Sequence, residues 1–359
     1  MATKLDYLVK TMRDLTCAQK AGARFFTIRE LMARCNASQQ SVYKAIEQLK
    51  RDGLLEVQPG GELYVTSKLS ERQYLRRPSI LVALPRWTSI ETDKIKSLIE
   101  EKGRNFHSHR LEPVEFDPLR ALPRDLPIER EKAIGAVILA SGAMLTSDDI
   151  TGMNEFQKRI SLAVIGQHLE DFNIPSVGVD DVYAANLAVN HLIRSGHRKI
   201  AILYSEPHSR VMELRCRNAV NYARLHDLDV EVIDCRIAPG ELALSKAYDK
   251  GRELVRRGFD FTAMLGLSGE SMLGAVDALL QGGVSVPEEL SLVAIAGIEL
   301  TSRFRLPVDT VDILLQEQFM IALEMVCPTI VASDSSVIRS KLAVFGSVKN
   351  NIMKGMCHA

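Results

Sequence analysis

No run of this 359-residue chain approaches the roughly 20 consecutive apolar residues that cross a bilayer. Its first residues, MATKLDYLVK, also lack the apolar stretch of a secretory signal. The expectation is a cytoplasmic protein with no membrane partner. Cysteine is sparse and unpatterned: Cys17, Cys35, Cys216, Cys235, Cys327 and Cys357 show no CxxC spacing, which argues against a zinc site or a disulfide framework and for reduced thiols. Missing too are GxxxxGK[ST], GxGxxG, HExxH and GxSxG. The stretch LGLSGESMLGA, residues 265–275, suggests a nucleophile turn, but Gly269 follows Ser268 directly and the elbow spacing is lost. No catalytic residue, metal or cofactor is expected, and an enzyme is not the reading.

A surplus of charge is absent as well, with 45 Lys+Arg against 45 Asp+Glu, yet that balance hides an asymmetry. Residues 1–77 carry 14 Lys+Arg against 8 Asp+Glu, and the remainder carries 31 against 37. A small basic front on a larger acidic body points to a front that meets a polyanion. With 46% hydrophobic and 25% charged residues, the chain has the composition of a globular protein, and its length suits two or three domains.

The front reads as helix, turn, helix and hairpin. Ile28, Leu31 and Met32 form one short apolar face, and Val42, Ala45, Ile46 and Leu49 form a second, with Ser38 placed as the second helix's N-cap. After Gly53 the period changes to two in LLEV and ELYV, separated by Pro59-Gly60-Gly61. An earlier amphipathic segment, with Leu5, Leu8, Val9, Met12 and Leu15, supplies a third helix. The sum is a winged helix over residues 1–66, whose second helix fits the DNA major groove. The expected DNA-binding residues are Thr27, Arg29, Ser38, Gln39, Gln40, Ser41, Tyr43, Lys44, Gly60 and Gly61. The alternative is a winged helix that serves as a protein-interaction module. The stretch SQQSVYKAIEQLKRDGLL resembles the GntR-type winged-helix regulators, keeping the positions of Ser38, Val42, Ala45, Leu49 and Gly53 and departing from them at Gln39.

Residues 67–78, SKLSERQYLRRP, read as an exposed linker in which Arg76 and Arg77 are solvated. From Ser79 onward SILVAL, AIGAVILAS, LAVIGQ, KIAILYSE, FTAMLGLS and LSLVAIAG alternate with helical segments. That is the pattern of a doubly wound α/β fold, and residues 79–350 are long enough for two lobes with a cleft at the strands' carboxyl ends. The first lobe is expected over about 79–176 and 309–335, the second over about 177–308 and 336–350.

The stretches IPSVGVDDVYAANLAVNHLIRSGHRKIAIL and FTAMLGLSGESMLGAVDALLQGGVSVPEELSLVAI resemble the effector domain of LacI-type repressors, as do LPVDTV and FGSV. The resemblance implies a two-lobed, periplasmic-binding-protein-like body that dimerises and alters its DNA affinity when a small molecule, sugar-like or a related metabolite, closes the cleft. With the winged helix it resembles the arabinose-repressor-like subgroup, so the implied function is that of a homodimeric repressor on a double-stranded operator. The resemblance further implies a lining of Trp87, Ser89, Ser141, Gln167, Arg215 and Ser268. Family polar positions fall on Ser268 and Gly269, on Ala296 and Gly297, and on Gly166, while expected aromatics fall on Glu91 and Thr92. Hence a pocket poor in carboxylates is expected, holding a less polar effector or none. In the latter case the regulator binds DNA constitutively or answers to a protein. His197, in Gly196-His197-Arg198, is expected to be a structural cation at a helix end, and His107-Ser108-His109 a solvated loop. A transport binding protein, the remaining rival, would need an export signal and no basic front.

Overall fold

The computed structural model describes residues 4–17, 19, 22–66, 77–86, 89–103, 109–117, 126–128, 133–141, 145–327 and 335–349. The chain divides into two compact units, residues 1–82, 96–113 and 127–135 in one and 83–95, 114–126 and 136–359 in the other.

The first unit opens with helices α1 (Lys4–Cys17), α2 (Ile28–Cys35) and α3 (Gln39–Arg51), followed by strands β1 (Leu55–Val57) and β2 (Leu63–Val65). Thr27 starts α2 through a capping box with Glu30, and Asn36 ends it in the left-handed conformation. Ser38 then caps α3 by accepting from the Ser41 N–H. The turn is short because both helix ends are finished by their own side chains. β1 and β2 pair antiparallel, Leu55 opposite Val65, across a turn in which Gly60 and Gly61 both have positive φ. Leu8, Met12, Leu31, Val42, Ala45, Ile46, Leu49, Leu55 and Val65 share one core.

Beyond residue 78 lie β3 (Ser79–Pro85), α4 (Ile90–Gly103), β4 (Arg110–Phe116), β5 (Ala133–Leu139), α5 (Ser147–Gln157), β6 (Ser161–Ile165) and β7 (Ser176–Val179). Then come α6 (Asp181–Arg194), β8 (Lys199–Tyr204), α7 (Arg210–Leu225), β9 (Asp229–Asp234), α8 (Ala243–Arg257), β10 (Ala263–Gly266), α9 (Gly269–Gln281) and β11 (Ser291–Ile295). The last are α10 (Ile298–Thr301), β12 (Asp309–Asp312), α11 (Leu315–Val326), β13 (Ser335–Ile338) and β14 (Lys341–Ala343). Two six-stranded sheets result, ordered β13-β7-β6-β5-β3-β4 and β14-β12-β11-β10-β8-β9. Strands such as β10 and β11 are buried along their whole length, because alternate side chains enter cores on opposite faces. In β8, Ile200, Ile202 and Tyr204 join the core that includes α6 and α7 residues. Ala201 and Leu203 join the other, with residues of α8 and α9.

Three expectations need correction. β12 pairs parallel with β11, and β13 pairs with β7, so residues 309–312 belong to the second sheet and 176–179 and 335–338 to the first. The expected lobe limits assigned 309–312 to the first lobe, and 177–179 and 336–338 to the second. A short apolar run reads alike in either sheet, and only its pairing decides. Arg77 is buried, not solvated, at the entrance to β3, where its carbonyl accepts from Arg110 Nε at 3.3 Å; Arg76 lies outside the described residues. His109 is buried before β4, and burial with Arg77 nearby lowers its pKa; His107 and Ser108 lie outside the described residues.

His197 is corrected too. Its side chain is buried between α6 and β8, with Nδ1 2.8 Å from Thr262 Oγ1. Burial, aided by His191, lowers its pKa to about 4, so the imidazole is neutral at pH 7. Between the usual value near 6.5 and about 4, the unfolded chain takes a proton that the fold refuses, and stability falls as pH falls. Wild type is therefore expected to lose roughly 3 kcal/mol more than His197→Gln between pH 7 and pH 4. Urea unfolding across that range would test it, and parallel pH profiles would refute it.

Candidate functional site

Segments that follow the strands of both sheets line a cavity of about 420 Å3. Ser89 follows β3, Ser141 follows β5, Glu206 follows β8, Ser268 follows β10 and Ala296 follows β11. Carboxyl ends of parallel strands converge at such a place because every crossover helix leaves from that side. Four residues of the expected lining meet there: Ser89, Ser141, Arg215 and Ser268. Gln167 does not line it; its side chain is buried and donates to the Ala140 carbonyl at 2.8 Å. Trp87 lies outside the described residues.

Arg215 is neither a surface arginine nor a free ligand hand. Its Nε donates to Asp181 Oδ1 at 2.6 Å and its Nη1 to the Leu267 carbonyl at 3.3 Å. Asp181 Oδ2 also faces His168 Nε2 at 3.4 Å. Burial by itself would raise the Asp181 carboxyl, but Arg215 and His168 outweigh it and hold it below the usual value. The Asp181 hydrogen bond raises His168 against the effect of burial. One charged chain thus joins the segment after β6, the start of α6 and the middle of α7.

The expectation of a pocket stripped of carboxylates is overturned. Glu91, Glu206 and Glu270 all line the cavity. Burial raises the Glu91 carboxyl, against a hydrogen bond with Ser141. Burial also raises Glu206, which bonds with Ser268 and Ser271, and Glu270, which accepts from the Ile90 N–H at 3.2 Å. The glycines at the family's polar positions have a steric cause. A Cβ on Gly269 would stand 2.3 Å from the Ala296 carbonyl oxygen, and one on Gly166 would stand 2.2 Å from Ser141 Oγ. Backbone and neighbours fill the space where other side chains were expected, and the acids come from Glu270 beside Gly269, Glu206 after β8 and Glu91 at the start of α4. Glu206 and Glu270 were missed although they stand two and four residues past the carboxyl ends of β8 and β10, the one signal that could have found them. A second groove of about 480 Å3, lined by Leu244, Leu273, Leu300 and Phe304 among others, is mainly apolar.

The residues expected to meet DNA lie in the first unit. Arg29, Gln39, Gln40, Tyr43, Lys44, Gly60 and Gly61 are exposed. Thr27 and Ser38 are exposed as well, but their hydroxyls serve as helix caps. Ser41 is half-buried, its Oγ 2.9 Å from Ser38 Oγ.

With this geometry in place, the body has the fold of a periplasmic binding protein-like domain, and the model of that family matches residues 189–342. The HTH-type transcriptional regulator GalR of Escherichia coli is 28% identical over 172 residues, 48% of this chain and 49% of that protein. The HTH-type transcriptional repressor CytR of Escherichia coli is 24% identical over 232 residues, 64% of this chain and 60% of that one. The chain spans about half the length of the curated relatives it first matches. Among solved structures, the LacI family regulator CcpA of Weissella paramesenteroides with bound glucose aligns with a TM-score of 0.60 at 21% identity, covering 76% of this chain and 99% of that one. A LacI family regulator of Enterococcus faecium with bound ribose aligns at 0.62 and 18% identity, covering 76% and 99%. At such identities the structures speak for the fold alone. Among the described residues no helix is long and apolar enough to cross a membrane.

Proposed function

We propose that the chain is a sequence-specific transcriptional regulator, a repressor in type, whose affinity for a double-stranded operator is set by a small molecule held in the 420 Å3 cavity. The observation that carries the reading is the joining of that cavity to a basic three-helix and hairpin front in one chain. In this reading the front is a GntR-type winged helix, residues 1–66, joined by 67–78 to the effector-binding and dimerisation body, and the regulator works in the cytoplasm as a homodimer. α3 enters the major groove, where Gln39 and Gln40 meet base edges. Lys44 and Arg29 hold phosphates, and the Gly60-Gly61 turn brings the wing close to the backbone. The ligand acts by population shift: it must bind one arrangement of the lobes better than the other, or nothing reaches the DNA.

Fluorescence anisotropy with a duplex from the region upstream of its own gene tests the proposal. Affinity is expected to exceed that for a scrambled duplex by about a thousandfold or more, and its logarithm to fall linearly with log salt. Lys44→Ala is expected to flatten that salt slope by about 1. Equal affinity for both duplexes would reject the reading.

A further inference from the structure

The lining of the cavity is lopsided in both charge and hydrogen-bonding sense. Glu91, Glu206 and Glu270 face it, while Arg215 is committed to Asp181 and to the Leu267 carbonyl. Other cavity donors are also engaged: the Ile90 N–H serves Glu270, and the Ser89 hydroxyl donates to Thr92 Oγ1 at 3.0 Å. The N-terminus of α9, where an anion would otherwise be welcome, already has Glu206 on Ser268 and Ser271. A separate observation points the same way. Gln318 lines the cavity and is 1% exposed. Its Nε2 donates to the Ile313 carbonyl at 2.8 Å, and its Oε1 has no donor. A buried acceptor without a partner is costly and marks a place where a donor belongs.

We propose that the cavity takes a hydroxylated primary amine, such as an amino sugar in its ammonium form, in preference to a neutral or phosphorylated sugar. The ammonium lies among Glu91, Glu206 and Glu270 and favours the ionised form of carboxyls that burial otherwise holds towards the protonated one, and the hydroxyl groups supply the donor that Gln318 Oε1 lacks. A bare divalent ion does not answer the same need, since among the described residues no group of three or more His, Cys, Asp or Glu is arranged to hold a metal. A phosphate group would face the acidic side chains of Glu91, Glu206 and Glu270 with Arg215 already paired to Asp181. The inference rests on the reading of this cavity as an effector site, and it narrows the ligand class.

Isothermal titration of the full-length protein at pH 7.5 with glucosamine, galactosamine and mannosamine, beside glucose, galactose, mannose, their N-acetylated amines and glucose 6-phosphate, separates the possibilities. At least one free amine is expected to bind tenfold or more tightly than its parent hexose and its N-acetyl form, with glucose 6-phosphate weakest. Glu206→Gln and Glu91→Gln, each checked for an unchanged thermal unfolding profile, are expected to cost the amine tenfold or more while shifting the parent hexose far less. Equal or tighter binding of the neutral hexoses would overturn the amine assignment and leave the effector site standing. Binding by none of the compounds would overturn the amine assignment together with the case for a sugar-like effector.

Discussion

Asp309→Ala is expected to lower the unfolding free energy by roughly 3–5 kcal/mol, the cost of leaving a buried charged network without its centre. The side chain is fully buried. Its Oδ1 accepts from the backbone N–H groups of Phe345 at 2.6 Å, Gly346 at 2.8 Å and Ser347 at 3.2 Å, and its Oδ2 meets His191 Nε2 at 2.8 Å. Alanine would strand three amides and an imidazole, and unpaired buried polar groups cost about 1–3 kcal/mol each before relaxation. Those amides follow β14, so the carboxylate pins the returning chain onto the second sheet. Burial by itself would raise the Asp309 carboxyl, but His191 and the three amides outweigh it and hold it below the usual value. The stabilisation is therefore complete above the ordinary carboxyl value near 3.9 and is lost as pH falls through the lower folded value. Asp309→Asn, which keeps one acceptor oxygen, is expected to lose less than Asp309→Ala. Urea unfolding at pH 7 measures both, and a loss below about 1 kcal/mol for the alanine variant would contradict this account.

The second large effect centres on Arg215. Arg215→Met leaves Asp181, which is 3% exposed, as a buried carboxylate with only His168 beside it, and is expected to cost about 3–5 kcal/mol. Asp181→Asn on its own leaves the guanidinium with weakened partners and is also destabilising. Combining the two removes both charges, so the double variant is expected to be more stable than Arg215→Met and to fall well short of the summed losses, with a coupling of about 1–3 kcal/mol. Strict additivity would show that the 2.6 Å contact carries no energy of its own. The same variants bear on function, because Arg215 and Asp181 both line the cavity. Affinity for a cationic amine is expected to rise in Arg215→Met where the protein is folded, since the freed Asp181 carboxylate adds negative charge to the lining, and affinity for a phosphorylated sugar is expected to fall.

Much of the fold was readable along the chain, because helices and buried strands announce themselves by period. Val42, Ala45, Ile46 and Leu49 recur as a helix face requires, and all four are buried. The runs KIAILY and SLVAI became strands with both faces covered. Reading failed where identity depends on a distant neighbour. Nothing in the four residues of β12 says that they pair with β11. Likewise, nothing local to His197 reveals that burial keeps it neutral.

The candidate site was half readable for the same reason. Ser89, Ser141, Arg215 and Ser268 could be named because the resemblance to LacI-type effector domains implied a lining at those positions, and all four line the cavity. Gln167 could be named too, but its amide turned into the protein to satisfy the Ala140 carbonyl. Glu206, Glu270 and Gln318 escaped notice because an exposed surface glutamate and a pocket glutamate look alike in one dimension.

The sequence by itself determined the helices and hairpin of the front, the six buried runs that became β3, β5, β6, β8, β10 and β11, the basic front and acidic body, the absence of recognised catalytic motifs, and the strand ends at which a ligand would be met. These are properties of composition and local period, written within a few residues. Only the tertiary structure decided which sheet each strand joins, which histidines are shut away from water, and what charge the cavity carries. Those depend on groups far apart along the chain, such as Glu91, Glu206 and Glu270, whose protonation is set by the burial and neighbours that folding provides.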